Sequence, residues 1–168
     1  FTAAFTKLPN NFSDLVHNHI FVGASDSQGN SAGLFFSKSG LIYTGAVHVD
    51  GFGDLVLDSP TQALPNSQLL VEEGTYFSVR IATDYVSART YIYVTRTSEL
   101  NTTGHQLRYV LPAIRSATAA VVPPDQTLIA VRGTDAQPSE LFLDSICLGT
   151  GLVIPNLPPR SDAGVDQA

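Results

Sequence analysis

Three aspartates near one glycine-bearing loop have the spacing that best suits a metal ion. Asp50 and Asp54 enclose Gly51-Phe52-Gly53, and Asp58 follows shortly after. Calcium takes six to eight oxygen ligands from carboxylates and carbonyls. Residues 26–30 form a second loop that is dense in oxygen-bearing side chains. Neither loop completes a known calcium signature, so calcium binding is one hypothesis and solvated turn residues are the interpretation we favour.

The other carboxylates and the histidines form no recognisable catalytic set. Glycosidases built on β-sandwiches place two carboxylates around the scissile bond, with a Glu-x-Asp-x-x-Glu spacing that this chain lacks. Glu72 and Glu73 are adjacent, so on a strand they would face opposite sides. His17 and His19 are an incomplete metal set, and the chain contains no G-x-S-x-G elbow or P-loop. The sequence therefore predicts no enzyme.

Two aromatic residues in turns are candidates for contact with a ligand. Phe52 lies between two glycines, and Tyr85 lies in the turn from Asp84 to Arg89. An exposed aromatic ring with polar neighbours is what a carbohydrate site needs for stacking. Each ring could equally fold back onto the core, so the sequence leaves both interpretations open.

The composition excludes two classes of partner. The 168 residues carry a net charge of −6 with no cluster of Lys and Arg, whereas nucleic acids and anionic membranes are bound by clustered cations. No run of about 18 apolar residues occurs that would predict membrane insertion. The chain begins at Phe1 and contains no Met, which indicates a processed product or an excised piece.

The lone cysteine is expected to be a structural residue. Cys147 lies in the apolar run Ile146-Cys147-Leu148, and free cysteines usually bury as small hydrophobes. With one cysteine the chain forms no internal disulfide, so the fold must be held by its core.

Short strands must position these residues. Within residues 69–99, which predict two successive hairpin-forming segments, apolar residues alternate with polar ones at 77–81 and 91–95, the period of antiparallel strands. Phe77, Val79 and Ile81 are predicted to face the core, which leaves Arg80, Tyr85 and Tyr93 outside it. Further short strands are predicted at 20–22, 34–36, 41–43, 47–49, 55–57, 107–111, 127–131 and 141–148. The chain is therefore predicted to be all-β, an antiparallel two-sheet sandwich or barrel.

The order of these segments resembles a known group of sandwiches. The segments YFSVRIATD, TYIYV and LFLDSICLGTG resemble the concanavalin A-like, laminin-G-like jelly rolls, although the tryptophans of that group are missing. The resemblance covers about residues 20–153 and implies a laminin-G-like β-sandwich over residues 1–153. Such modules often bind calcium between loops at one end of the sandwich, which is the reason for considering Asp50, Asp54 and Asp58.

The composition changes after Val153. The segment IPNLPPR is proline-rich and predicts an extended spacer. The tail PRSDAGVDQ resembles the start of a polycystic-kidney-disease-type, immunoglobulin-like domain. Residues 154–168 are therefore predicted to be a linker that leads to a further module of a multidomain protein.

The resemblance implies a non-catalytic module that binds a glycan or protein partner in adhesion or attachment, located outside the cell, on its surface or on a virion. The alternative is a structural subunit of a virion, tail or surface assembly, in which the sandwich contacts neighbours or forms a homo-oligomer. The sequence predicts no cofactor beyond the calcium hypothesis.

Overall fold

The computed structural model describes residues 1–10, 18–25, 31–84, 86–113 and 126–147. Within them the chain forms ten strands and one short helix, α1 (Leu100–Thr103). The predicted linker at 154–168 lies outside the described residues. The strands are β1 (Thr2–Lys7), β2 (His19–Ser25), β3 (Ser31–Ser37), β4 (Gly40–Val49), β5 (Leu55–Ala63), β6 (Tyr76–Asp84), β7 (Arg89–Arg96), β8 (Leu107–Pro112), β9 (Gln126–Arg132) and β10 (Glu140–Ser145).

The strands form two antiparallel sheets that pack face to face. The first sheet has the order β10-β1-β6-β7-β8, and the second has the order β5-β4-β3-β2-β9. The prediction of an all-β two-sheet sandwich is confirmed. One face of each sheet supplies the main core, whose buried residues are Phe5, Leu8, Ile20, Val22, Leu34, Phe36, Leu41, Tyr43, Leu64, Val71, Phe77, Val79, Ile92, Val94 and Leu111.

Two contacts define how the sheets lie over each other. Phe5 of β1 stacks on Phe36 of β3 with ring centroids 4.6 Å apart. The Tyr43 hydroxyl of β4 donates to Oγ1 of Thr90 of β7 at 3.0 Å, inside the sandwich. Because β1 lies over β3 and β7 over β4, the strands β9 and β10 end up at the same open edge.

Residues 69–99 form one hairpin rather than two. β6 and β7 pair from Phe77 with Arg96 to Asp84 with Arg89, as the alternation predicts. The earlier part is a short 3₁₀ turn at Ser67–Leu69, and Val71 then packs into the core. Ser67 explains the turn, because its buried hydroxyl accepts a hydrogen bond from the Leu41 amide at 2.7 Å and donates to the Leu64 carbonyl.

The second sheet also has an apolar outer face. Its cluster consists of Phe21, Phe35, Val47 and Leu55, which we call the outer cluster. Strand alternation places Phe21 and Phe35 there, since their neighbours on β2 and β3 face the main core. Val47 joins them because the pairing of β4 with β5 shifts register between Ala46 and Val47, and such a shift moves the following side chains to the opposite face.

Cys147 corrects the sequence prediction. Its thiol is exposed just beyond β10, and the neighbouring Ile146 is 41% exposed. The apolar run predicted burial, but β10 is an edge strand whose residues lie largely in solvent.

An exposed thiol predicts ready chemical modification of the native protein. We expect Ellman's reagent to titrate one thiol per chain without denaturant, and Cys147→Ser to abolish the signal. Reaction that requires denaturant would show instead that the thiol is shielded.

Candidate binding site at the β4–β5 turn

The turn between β4 and β5 is organised by the Asp50 side chain. Oδ1 of Asp50 accepts hydrogen bonds from the amides of Phe52 and Asp54, both at 2.9 Å. The Asp50 amide donates to the Asp54 carbonyl at 2.9 Å, which closes the loop. The amide of Asp54 and then that of Phe52 lower the pKa of Asp50, because they bond its charged form. The carboxylate is thus committed to holding the loop.

Phe52 occupies the tip of this turn. Its side chain is 92% exposed, so it does not fold back onto the core. Gly53 follows with a φ of +84°, a conformation that glycine adopts without steric cost. Since Asp50 bonds the Phe52 amide itself, the ring projects from a fixed backbone and offers an apolar surface to solvent.

Asp54 connects the turn to the far edge of the same sheet. Its carboxylate forms an ion pair with the guanidinium of Arg132, at the end of β9. β4–β5 and β9 lie on opposite sides of β3 and β2 in the sheet order. The sheet therefore curls around the outer cluster until its two edges approach each other.

A cleft of about 430 Å³ lies between the turn and β9. Its apolar part continues the outer cluster, since Leu55, Leu128 and Ala130 belong to both. His19, Asp54 and Arg132 add polar groups at one end. The lining residues are His19, Val49, Gly53, Asp54, Leu55, Leu128, Ile129, Ala130, Val131 and Arg132.

The structure brings three of the predicted site residues together and does not describe the side chains of the other two. Asp50, Phe52 and Asp54 share one turn. Asp58 lies within β5, but its side chain is outside the described part of the chain, as are all of Tyr85 and residues 26–30. Among the residues that are described, no group of three or more His, Cys, Asp or Glu side chains could hold a metal ion. Oδ1 of Asp50 and Oδ1 of Asp54 already bond groups of the protein, so calcium binding stays a hypothesis.

Glu72 and Glu73 have structural partners. Glu72 pairs with Arg96 at 2.9 Å, and Glu73 pairs with Lys38 at 3.2 Å. Glu73 also accepts the Leu8 amide at 2.9 Å, and this bond is the main reason that its pKa is lowered. Both carboxylates thus tie the loop after the 3₁₀ turn to neighbouring segments.

Sequence reasoning missed the half of the site that β9 supplies. Arg132 and Leu128 stand 78 and 74 residues from Asp54 along the chain, and they meet the turn only because the sheet curls. The local sequence around Arg132 carries no signal for this contact, whereas the Asp-Gly-Phe-Gly-Asp turn is recognisable from its own residues.

No protein-family model, curated protein or solved structure matches this chain. The resemblance to laminin-G-like and polycystic-kidney-disease-type modules therefore stays a prediction. Within the described ranges, no helix is long and apolar enough to cross a membrane.

Proposed function

We propose that this chain is a non-catalytic binding module that recognises a glycan or protein partner at the cleft beside Phe52. The observation that carries the proposal is the Phe52 ring, 92% exposed on a turn fixed by hydrogen bonds. A pre-organised aromatic group loses little conformational freedom on binding, which favours affinity. In line with the resemblance, the module would act in adhesion or attachment outside the cell or on a virion, as part of a multidomain protein.

The cleft offers groups that suit a sugar or a peptide. Phe52 supplies a face for stacking, and the next two residues of its turn, Gly53 and Asp54, line the cleft together with apolar side chains. His19, Asp54 and Arg132 supply polar atoms at its end, where hydroxyls or amides of a partner need hydrogen bonds. A few polar groups beside an apolar surface are the usual composition of ligand sites.

A glycan array tests the proposal with matched variants. We expect the wild-type chain to bind and Phe52→Ala to lose at least about tenfold in affinity, as central aromatic contacts do. Phe142→Ala is the control, because Phe142 is also exposed, at 63%, but lies on β10 of the other sheet. It should bind as the wild type does.

Two results would contradict this assignment. Equal binding by Phe52→Ala and wild type would remove the cleft as the site. If the wild-type chain gave no signal on the array, a glycan would be excluded as the partner. Binding to a protein partner would then be the remaining hypothesis to test.

A second candidate function is that of a structural subunit, which the open edge at β9 and β10 supports. Ile129 and Val131 are 39% and 43% exposed, and Leu143 is 38% exposed. Together with Phe142 they place apolar area along one edge of the sandwich, as a contact surface between copies or neighbours would.

Light scattering distinguishes the two functions. A binding module should be monomeric, whereas an assembly subunit should form a symmetric oligomer. A strictly monomeric chain with a glycan signal would rule out assembly. A trimer or larger species without a glycan signal would rule out the glycan-binding module.

A further inference from the structure

A second group of polar residues lies on the outer face of the first sheet, away from the cleft. Arg80 of β6 and Tyr93 of β7 are direct cross-strand partners. Their neighbours Val79, Ile92 and Val94 face the main core, so alternation places Arg80 and Tyr93 on the opposite face. Directly paired side chains on one face lie close enough to act on the same ligand.

The Tyr93 side chain is buried, but its hydroxyl lacks a hydrogen-bond partner among the described residues. The residue is 0% exposed, although alternation alone predicts an outward position. Its hydroxyl oxygen makes no hydrogen bond within the described part of the chain. Buried polar groups in native proteins nearly always have a partner, so an orphaned phenol points to a group that the protein receives from outside.

Arg80 is a partly buried cation that has no carboxylate partner in the part of the chain that the structure describes. Lys38, Arg96 and Arg132 each form an ion pair, whereas Arg80 has no such partner among the described residues. Its half-buried position lets the guanidinium meet solvent while its partner Tyr93 does not. A ligand from solvent would therefore approach Tyr93 past Arg80.

His105 approaches the group from the loop before β8, where the amide of the next residue, Gln106, donates to Oγ1 of Thr95 on β7 at 2.7 Å. Burial, and next the charge of Arg80, lower the pKa of His105, so its imidazole is neutral at pH 7. Burial raises the pKa of Tyr93, and Arg80 opposes that rise, so the phenol keeps its proton. At neutral pH the group thus combines the fixed positive charge of Arg80 with a phenolic donor and a neutral imidazole.

We propose that Arg80, Tyr93 and His105 form a binding site for a single oxyanion group, a carboxylate, sulfate or phosphate. A guanidinium binds such oxygens with charge-assisted hydrogen bonds, and the Tyr93 hydroxyl would gain the acceptor that it lacks. A guanidinium directly across from a buried phenolic donor that lacks an acceptor favours an anionic group. The site is separate from the cleft, so its ligand can belong to the same partner or to another.

Titrations by NMR with sodium sulfate, phosphate and acetate test the site, with sodium chloride at equal ionic strength as the reference. We expect shifts centred on Arg80, Tyr93 and His105 for at least one anion, and the order of affinities assigns the class of oxyanion. Arg80→Gln should weaken binding at least about tenfold, because it removes the charge-assisted bonds. Arg89→Gln removes the same charge from an exposed position on β7 and should change the affinity less than about twofold.

Tyr93→Phe gives an independent readout. Without the anion it should unfold at the same temperature as the wild type or higher, because no hydrogen bond is lost. With the anion it should gain less stability than the wild type. The proposal is overturned if none of the three anions shifts these residues, if Arg80→Gln and Arg89→Gln weaken binding equally, or if Tyr93→Phe is less stable without the anion.

Discussion

Replacing Phe5 with alanine is expected to lower the free energy of unfolding by about 3–5 kcal/mol, the usual cost of truncating a buried phenylalanine. Phe5 is 0% exposed and stacks on Phe36 of the other sheet. It also lies 6.3 Å from Phe77 between ring centroids. Removing the ring leaves a cavity between both sheets, where neither side can collapse without distorting a paired strand. Urea denaturation followed by circular dichroism measures the loss.

Phe52→Ala is the matched control, since it removes the same atoms from a side chain that is 92% exposed. Its stability should stay within about 0.5 kcal/mol of the wild type, as for most surface substitutions. A loss of less than about 1 kcal/mol for Phe5→Ala would show that β1 is not part of the core. Equal losses in both variants would show that Phe52 is packed against the protein.

The strand that carries Phe5 was not predicted from the sequence. Residues 1–11 show no clear alternation, because Ala3 and Ala4 are both small and apolar although they face opposite sides. β1 forms because partners far along the chain pair with it: Tyr76–Ser78 of β6 on one side and residues 140–145 of β10 on the other. Such pairing is non-local, so a local pattern does not indicate it. β6 and β7 were predictable because each alternates on its own.

The end of β5 is a second place where the local sequence does not indicate the strand that forms. Pro60 and Pro65 suggest a loop, yet β5 runs to Ala63 and includes Pro60. Proline removes a donor from a strand, which only an edge strand tolerates. β5 is the edge of the second sheet. The position of Pro60 is plain from the sequence, but its structural consequence depends on a sheet order that the sequence does not reveal.

In each of the two candidate sites, the sequence indicates some of the features and only the tertiary structure shows the others. Asp50, Phe52 and Asp54 are recognisable from turn chemistry, whereas Arg132 joins them through the curl of the sheet. For Tyr93, alternation gives the correct face but not its burial. A period of two assigns a side chain to one face of a sheet. It carries no information about what covers that face.

Gly33→Ala is expected to destabilise the protein by about 1–3 kcal/mol or more, the range for overpacking a well-filled interior. A Cβ at this position would lie 2.5 Å from the Val22 carbonyl oxygen and 2.6 Å from Cα of Gly23. Both atoms are backbone of the neighbouring strand β2, so they cannot yield without disturbing the pairing of β2 with β3. The Phe21 ring, with Cζ 2.6 Å away, would also have to leave its place in the outer cluster.

Gly51→Ala is the control for this change, because a Cβ there meets nothing within 4 Å. It should be neutral or stabilising by up to about 1 kcal/mol, since alanine restricts the unfolded chain. Comparison of the two variants by thermal unfolding therefore separates steric conflict from the general effect of replacing glycine. If Gly33→Ala were as stable as Gly51→Ala, the added Cβ would meet no steric conflict. The strands β2 and β3 would then have to lie farther apart at Gly33 than the structure places them. The outer cluster that lines the cleft would then need another explanation, because Phe21 packs over Gly33 only where a side chain is missing.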